Sequence, residues 1–143
     1  MSVTWRAART IRIHCPIAQQ TFNECLSGNL CALESDPAAA KLLAVIRAPN
    51  PLGDFDVYHG VFEVAFGVEG FTPTPRAQPA VGERGTANLS PTAIITTYVD
   101  ESADDDAVSA ALNELVRAHP WETPVIEVAE GIVLLPERTM REP

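Results

Sequence analysis

Two helical repeats set among β-branched runs constrain this chain more than any other feature. Ala39, Leu42, Leu43 and Ile46 fall at i, i+3, i+4 and i+7, the spacing that lines one face of an α-helix. Ser35-Asp36-Pro37 precedes them as a cap with proline in the first turn, and Pro49 and Pro51 stop the helix. Val108, Ala111, Leu112 and Leu115 repeat the pattern after Asp104, Asp105 and Asp106, whose charges suit the positive end of a helix dipole. This second helix ends before Pro120. Each helix offers one apolar stripe, so each needs another layer to cover it.

The strand signals supply that layer. Leu30 to Glu34 is a short apolar run, Val57 to Phe66 is rich in β-branched and aromatic residues, and Thr92 to Val99 reads Thr-Ala-Ile-Ile-Thr-Thr-Tyr-Val. Val125 to Leu135 closes the series, with a break expected at Gly131. From Leu30 onward the order is β-α-β-β-α-β, which predicts an α+β fold of the split β-α-β type with two helices on one face of a mainly antiparallel sheet. Thr10 to Cys15 alternates Ile11 and Ile13 against Arg12 and His14. It is expected to add an edge strand or to reach a neighbouring subunit. The expected organisation is therefore an N-terminal extension over 1–28 with an added strand, one domain over 29–136, and a tail over 137–143.

Composition narrows the partners. Hydrophobic residues at 46% and charged residues at 20% of 143 are ordinary for a folded domain, which argues against disorder. A formal charge of −9 argues against a nucleic-acid partner, because phosphate binding draws on clustered Lys and Arg. No apolar run approaches the roughly 18 residues of a membrane span, and the arginine-dotted start has no compact apolar signal region. A cytoplasmic protein is the expectation. Cys15, Cys25 and Cys31 form no C-x-x-C pair, so they read as small buried hydrophobes rather than as a disulfide framework or zinc ribbon.

The stretch Gly67 to Pro91, with four glycines and four prolines, is longer than a structureless connection usually runs. Subunit contact or a pocket wall is the working expectation, against a floppy hairpin.

His119-Pro120-Trp121-Glu122-Thr123-Pro124 puts an imidazole, an indole and a carboxylate at a helix-to-strand junction. His119 and Glu122 are close enough on a turn to be a metal-ligand pair, or a general acid/base with its orienter. The alternative is structural, with His119 capping its helix and Glu122 bonding backbone. Trp121 is either an interface plug or a stacking platform, and Tyr58 and Phe71 are the other aromatic candidates for ligand contact. Asp56, Tyr58 and His59 are expected at the start of the second strand, where they either rim a pocket or serve in simple packing. His14 and Cys15 point to opposite faces of a strand and cannot pair with each other. The catalytic candidates are thus His119, Glu122, His59, Asp56 and His14, in a chain without G-x-S-x-G, phosphate-loop, H-E-x-x-H or EF-hand spacing.

Four landmarks, in order and at matching spacing, carry a family resemblance: Leu52-Gly53-Asp54-Phe55-Asp56, Gly70-Phe71-Thr72-Pro73, Ala77-Gln78-Pro79-Ala80-Val81-Gly82-Glu83-Arg84-Gly85, and His119 to Pro124. From about Leu30 to Leu135 the chain resembles the PII-like/CutA-like module that occurs inside Nif-three-like proteins and as a free-standing bacterial protein. The family pattern reads approximately Gly-x-Tyr-Asp, Phe-x-Pro, Ala-x-Pro-x-Ile-Gly and His-Pro-Tyr-Glu-Glu-Pro. This chain departs from it with Phe55, Trp121 and Thr123.

The resemblance implies a ferredoxin-like domain that assembles as a homotrimer through its sheets. It does not carry over the two-metal site of full-length Nif-three-like proteins, whose ligands lie in lobes this chain is too short to contain. The implied function is a small regulatory or ion-homeostasis protein holding a divalent metal ion or small metabolite in an inter-subunit cleft beside His119 and Glu122. The alternative is an enzyme that has recruited the fold, using acid/base residues in the cleft on a small-molecule substrate.

Overall fold

A computed structural model describes residues 5–134, so the 137–143 tail lies outside the described residues. The elements run β1 (Arg6–Pro16), α1 (Gln19–Leu26), α2 (Ala32–Ser35), α3 (Pro37–Arg47), β2 (Phe62–Phe71), β3 (Asn88–Asp100), α4 (Asp105–Ala118) and β4 (Ile126–Leu134). The four strands form one antiparallel sheet in the order β2-β3-β1-β4. This is the expected α+β, ferredoxin-like arrangement, with α3 and α4 as the two predicted helices.

The strand that opens the series is not the expected one. Leu30 to Glu34 is a turn leading into the helical turn α2, and Leu30 is 64% exposed. A strand would send the adjacent Ala32 and Leu33 to opposite faces, whereas the helical turn buries both in the core. The first strand is instead β1, expected as an edge addition but found inside the sheet. Ile13 pairs with Ile95 of β3 on one side and Ile126 of β4 on the other. Its alternation explains the position: Ile11, Ile13 and Cys15 are buried, whereas Arg12 and His14 take the other face. Helix α1, for which no repeat was read, packs Phe22 edge-on against Phe66 of β2.

The second strand starts later than its composition suggests. Val57 and Tyr58 are exposed in a loop, and pairing begins at Phe62 opposite Thr97. Gly53 explains the delay. With φ at +62° its Cα lies against the Val61 backbone, where an added Cβ would come within 2.4 Å of the Val61 carbonyl oxygen. Only glycine permits that approach, and it closes a loop before the strand can start.

The core is a single cluster between the sheet and the helices, built on Ile11, Ile13, Leu42, Leu43, Ile46, Ile95 and Leu115. The cap expected at Asp36 holds, and Asp104, expected only as a favourable charge at the start of its helix, also serves as a cap. Asp36 accepts from the Ala38 and Ala39 amides, and Asp104 from the Ala107 amide. With the helices on one side, the other sheet face carries Glu63, Tyr98, Arg12, His14 and Glu127.

Candidate functional site

Helix α4 closes with the His119 amide donating to the Leu115 carbonyl at 3.0 Å. His119 itself is extended, at φ −70° and ψ 135°, the backbone favoured before proline. That turn aims the imidazole inward, where the residue is only 6% exposed. Its Nε2–H donates to the His14 carbonyl oxygen on β1 at 2.7 Å, and its Nδ1 accepts from the Trp121 amide at 3.1 Å. The two bonds together define a neutral imidazole protonated on Nε2. Burial, the largest influence, and the nearby His14 ring push the His119 pKa down, opposed by the His14 carbonyl.

The rest of the motif holds the long connection. Trp121 packs on Phe71 at the end of β2, with ring centroids 5.1 Å apart, and edge-on to His119 at 5.9 Å. The Gln78 amide donates to Oε1 of Glu122. The β2–β3 connection is thereby tied to the helix-to-strand turn at two points. Because β2 and β3 extend into the stretch read as a loop, the connection shrinks to 72–87. It is braced internally by Gly85 N–H to Pro73 O at 2.7 Å and Arg84 Nε–H to Ala77 O at 2.6 Å. Three of the four sequence landmarks therefore meet at one end of the sheet.

The other candidates lie elsewhere. Register separates the ends of the sheet: Phe71 pairs with Asn88 at the first, and Phe62 with Thr97 and Ala8 with Asp100 toward the second. Asp56, Tyr58 and His59, expected at the start of a strand, occupy the loop before β2 at that second end. Its neck is Gly53 N–H to Tyr98 O at 2.8 Å and Val61 N–H to Gly53 O at 3.0 Å. Asp56 has φ of +65°, and its amide donates to Asp54 Oδ1 at 2.9 Å. The same Asp54 oxygen lies 3.2 Å from His59 Nδ1. Tyr58 is 72% exposed, while Phe55 lies between Tyr98 and the Arg6 guanidinium. Beside them a shallow open groove is lined by Trp5, Arg6, Ala7, Asp100, Glu101 and Ser102.

His14 is in a third place, on the sheet face that no helix among the described residues covers. Its Nε2 is 3.6 Å from Glu127 Oε1, and the other Glu127 oxygen accepts from Arg12 at 3.2 Å. Burial raises the Glu69 carboxyl on the same face, opposed by the charge of His14 and a hydrogen bond from Thr92. Cys15, on the opposite face, has its thiol pushed up to about 12 by burial.

The five acid/base candidates thus fall into three groups, of which His14 alone touches another, through its carbonyl and ring beside His119. No three His, Cys, Asp or Glu side chains come together as a metal-binding set among the described residues. His119 has both ring nitrogens engaged, so a metal or proton-transfer role there would have to displace one of two hydrogen bonds. Sequence reasoning missed Asp54 and Gln78 as participants. Both sit inside quoted landmarks, but their partners are set by the fold.

No family model and no curated protein matches the sequence. Among solved structures the chain is similar to a Bacillus cereus protein related to NIF3, with a TM-score of 0.56 at 14% identity. The match covers 94% of this chain and 29% of that one. The two share a fold over a domain-sized part of the longer protein. No helix among the described residues is long and apolar enough to cross a membrane.

Proposed function

We propose that the chain is an oligomeric binding module of the PII/CutA-like kind, cytoplasmic and regulatory, assembled as a homotrimer through its uncovered sheet face. In this reading a small metabolite is held between subunits at the end of the sheet where Phe71, Trp121 and Glu122 converge. The observation that carries it is that convergence beside an uncovered face: a rim of two packed aromatics and a carboxylate, supported by a braced loop. Such a rim suits a planar or apolar ligand with one donor group. A divalent metal ion would need donors from a second subunit beside Glu122.

Light scattering on the purified protein tests the assembly. Three chains per particle are expected, and Ile94→Arg, in the middle of the uncovered face, should give single chains. A monomeric native protein would sink the reading. Heat-released extract should contain a bound small molecule or metal whose removal lowers Tm; an empty extract, with no ligand restoring Tm, would count against the cleft.

The enzyme alternative draws support from one contact. Asp54 engages His59 Nδ1, leaving Nε2 for a second partner, the way a carboxylate orients a histidine base. His59→Ala abolishing turnover of a candidate substrate, with the particle size unchanged, would favour it.

A further inference from the structure

We propose that His119 is a proton-operated latch: its neutral ring clamps the β2–β3 connection against the end of the sheet, and protonation of Nδ1 releases it. The geometry carries the proposal. Nε2 must be the protonated nitrogen because it faces a carbonyl oxygen, and Nδ1 must be bare because it faces the Trp121 N–H. A second proton therefore has only one place to go, and there it meets a backbone N–H pointing at it. The Trp121 amide loses its acceptor and two donors confront each other in a partly buried position.

What is tied to that amide gives the latch its reach. Trp121 holds Phe71 through ring contact, and the adjacent Glu122 holds Gln78. Residues 119–122 connect both contacts to His119, so displacing Trp121 loosens the connection 72–87 at its start and its middle.

The charged surroundings do not rescue the protonated ring. From β1 it faces His14, whose carbonyl already accepts from Nε2 and whose ring supplies no anionic partner for a second proton. From β4, Glu127 is directed to Arg12 and the His14 ring. From its own turn, Glu122 is directed to the Gln78 amide, and Phe71 contributes only an apolar ring. Burial works in the same direction by disfavouring the charged imidazole. The sign follows: the closed form takes up the proton less readily than an open form, so falling pH below the ordinary histidine value of 6.5 drives opening.

Any consequence for ligand binding rests on the function proposed above, but the latch is read without ligand, so either can fail alone. The experiment uses the full chain carrying Trp5→Phe, which leaves Trp121 as the single indole of the original two. Between pH 7.5 and pH 5 its emission should shift to the red. Amide exchange at Gln78 and Trp121, corrected for intrinsic pH dependence, should accelerate by about tenfold, the loss of one hydrogen bond.

Two substitutions separate the ring nitrogens. His119→Asn places an oxygen where Nδ1 stood and cannot be protonated, so the transition should vanish with the closed form retained. His119→Gln keeps a donor near the His14 carbonyl and supplies no acceptor at the Nδ1 position, so the open form should persist at every pH. His14→Gln and His59→Gln should leave the transition in place. A transition that survives in His119→Asn overturns the latch, as does wild-type His119 titrating by NMR at its ordinary value with no change at Trp121.

Discussion

The Thr21 hydroxyl donates to Oδ2 of Asp36 at 2.7 Å, joining α1 to the cap of α3 through a carboxylate only 3% exposed. The same oxygen accepts from the Ala18 amide at 3.0 Å, and Oδ1 from the amides of Ala38 and Ala39. Four donors thus converge on one side chain. Asp36 begins two helices: it caps α3 directly and satisfies the entry to α1, where Ala18 has no side-chain acceptor of its own.

Asp36→Ala should therefore destabilise the fold by about 3 kcal/mol, more than the ~1 kcal/mol typical of a single cap, because three further donors lose their acceptor. Thr21→Val, which removes one donor, should cost about 1 kcal/mol. Urea unfolding of both variants measures the ratio. Equal losses would mean that the α1 bond alone matters.

Gly53→Ala should cost more than about 2 kcal/mol, since the residue would combine a left-handed backbone with a clash. The added Cβ would lie 2.5 Å from the Val61 nitrogen as well as against its carbonyl. Gly85→Ala is the control. Its φ is +78° with nothing within 4 Å, so about 1 kcal/mol is expected from the backbone alone. Thermal melts of the two proteins should differ accordingly.

Glu122→Ala should expose the β2–β3 connection to protease with only a small change in global stability, about 1 kcal/mol. Arg76 and Arg84 lie within that connection, so trypsin at neutral pH should cut there faster than in the native chain. Mass spectrometry of the fragments identifies the site. An unchanged cutting rate would mean that Phe71 and Trp121 hold the connection by themselves.

Of the three thiols, Cys31 is exposed, while Cys15 and Cys25 are buried. Burial raises both buried thiols, Cys15 to about 12. A disulfide reagent at pH 8 should therefore titrate one thiol quickly in the native protein and all three in denaturant. Rapid reaction at Cys15 would contradict its place beneath the helices.

Glu69 gives a pH dependence of opposite sign to that of His119. Its carboxyl is raised above the ordinary 4.5, chiefly by burial, so between those two values the folded chain holds a proton that the unfolded chain has released. Stability from this group rises as pH falls through that window and is weakest at neutral pH. Glu69→Gln should raise Tm at pH 7 and make little difference at pH 4. Melting curves at the two pH values decide it.

The sequence by itself determined what depends on neighbours a few residues away. Helices α3 and α4, the Asp36 cap, the acidic start of α4 and the stop before Pro120 follow from local spacing and backbone chemistry. The alternation of Ile11 and Ile13 with Arg12 and His14 was equally readable as a strand. Its place inside the sheet was not, because that depends on pairing with β3 and β4, about a hundred residues away in chain. Leu30 to Glu34 shows the converse: a short apolar run has no fixed period, and the fold made it a turn and a helix.

The site divides in the same way. His119, Trp121 and Glu122 stood out by residue type and by their place after a helix. Which ring nitrogen carries the proton was decided by the His14 carbonyl 105 positions away. Gln78 is bonded to Glu122 across 44 positions, and Asp56 and His59 were carried to the far end of the sheet by the Gly53 neck. Residue types and short-range periodicity are written along the chain, whereas hydrogen-bond partners and burial arise only when distant segments pack together.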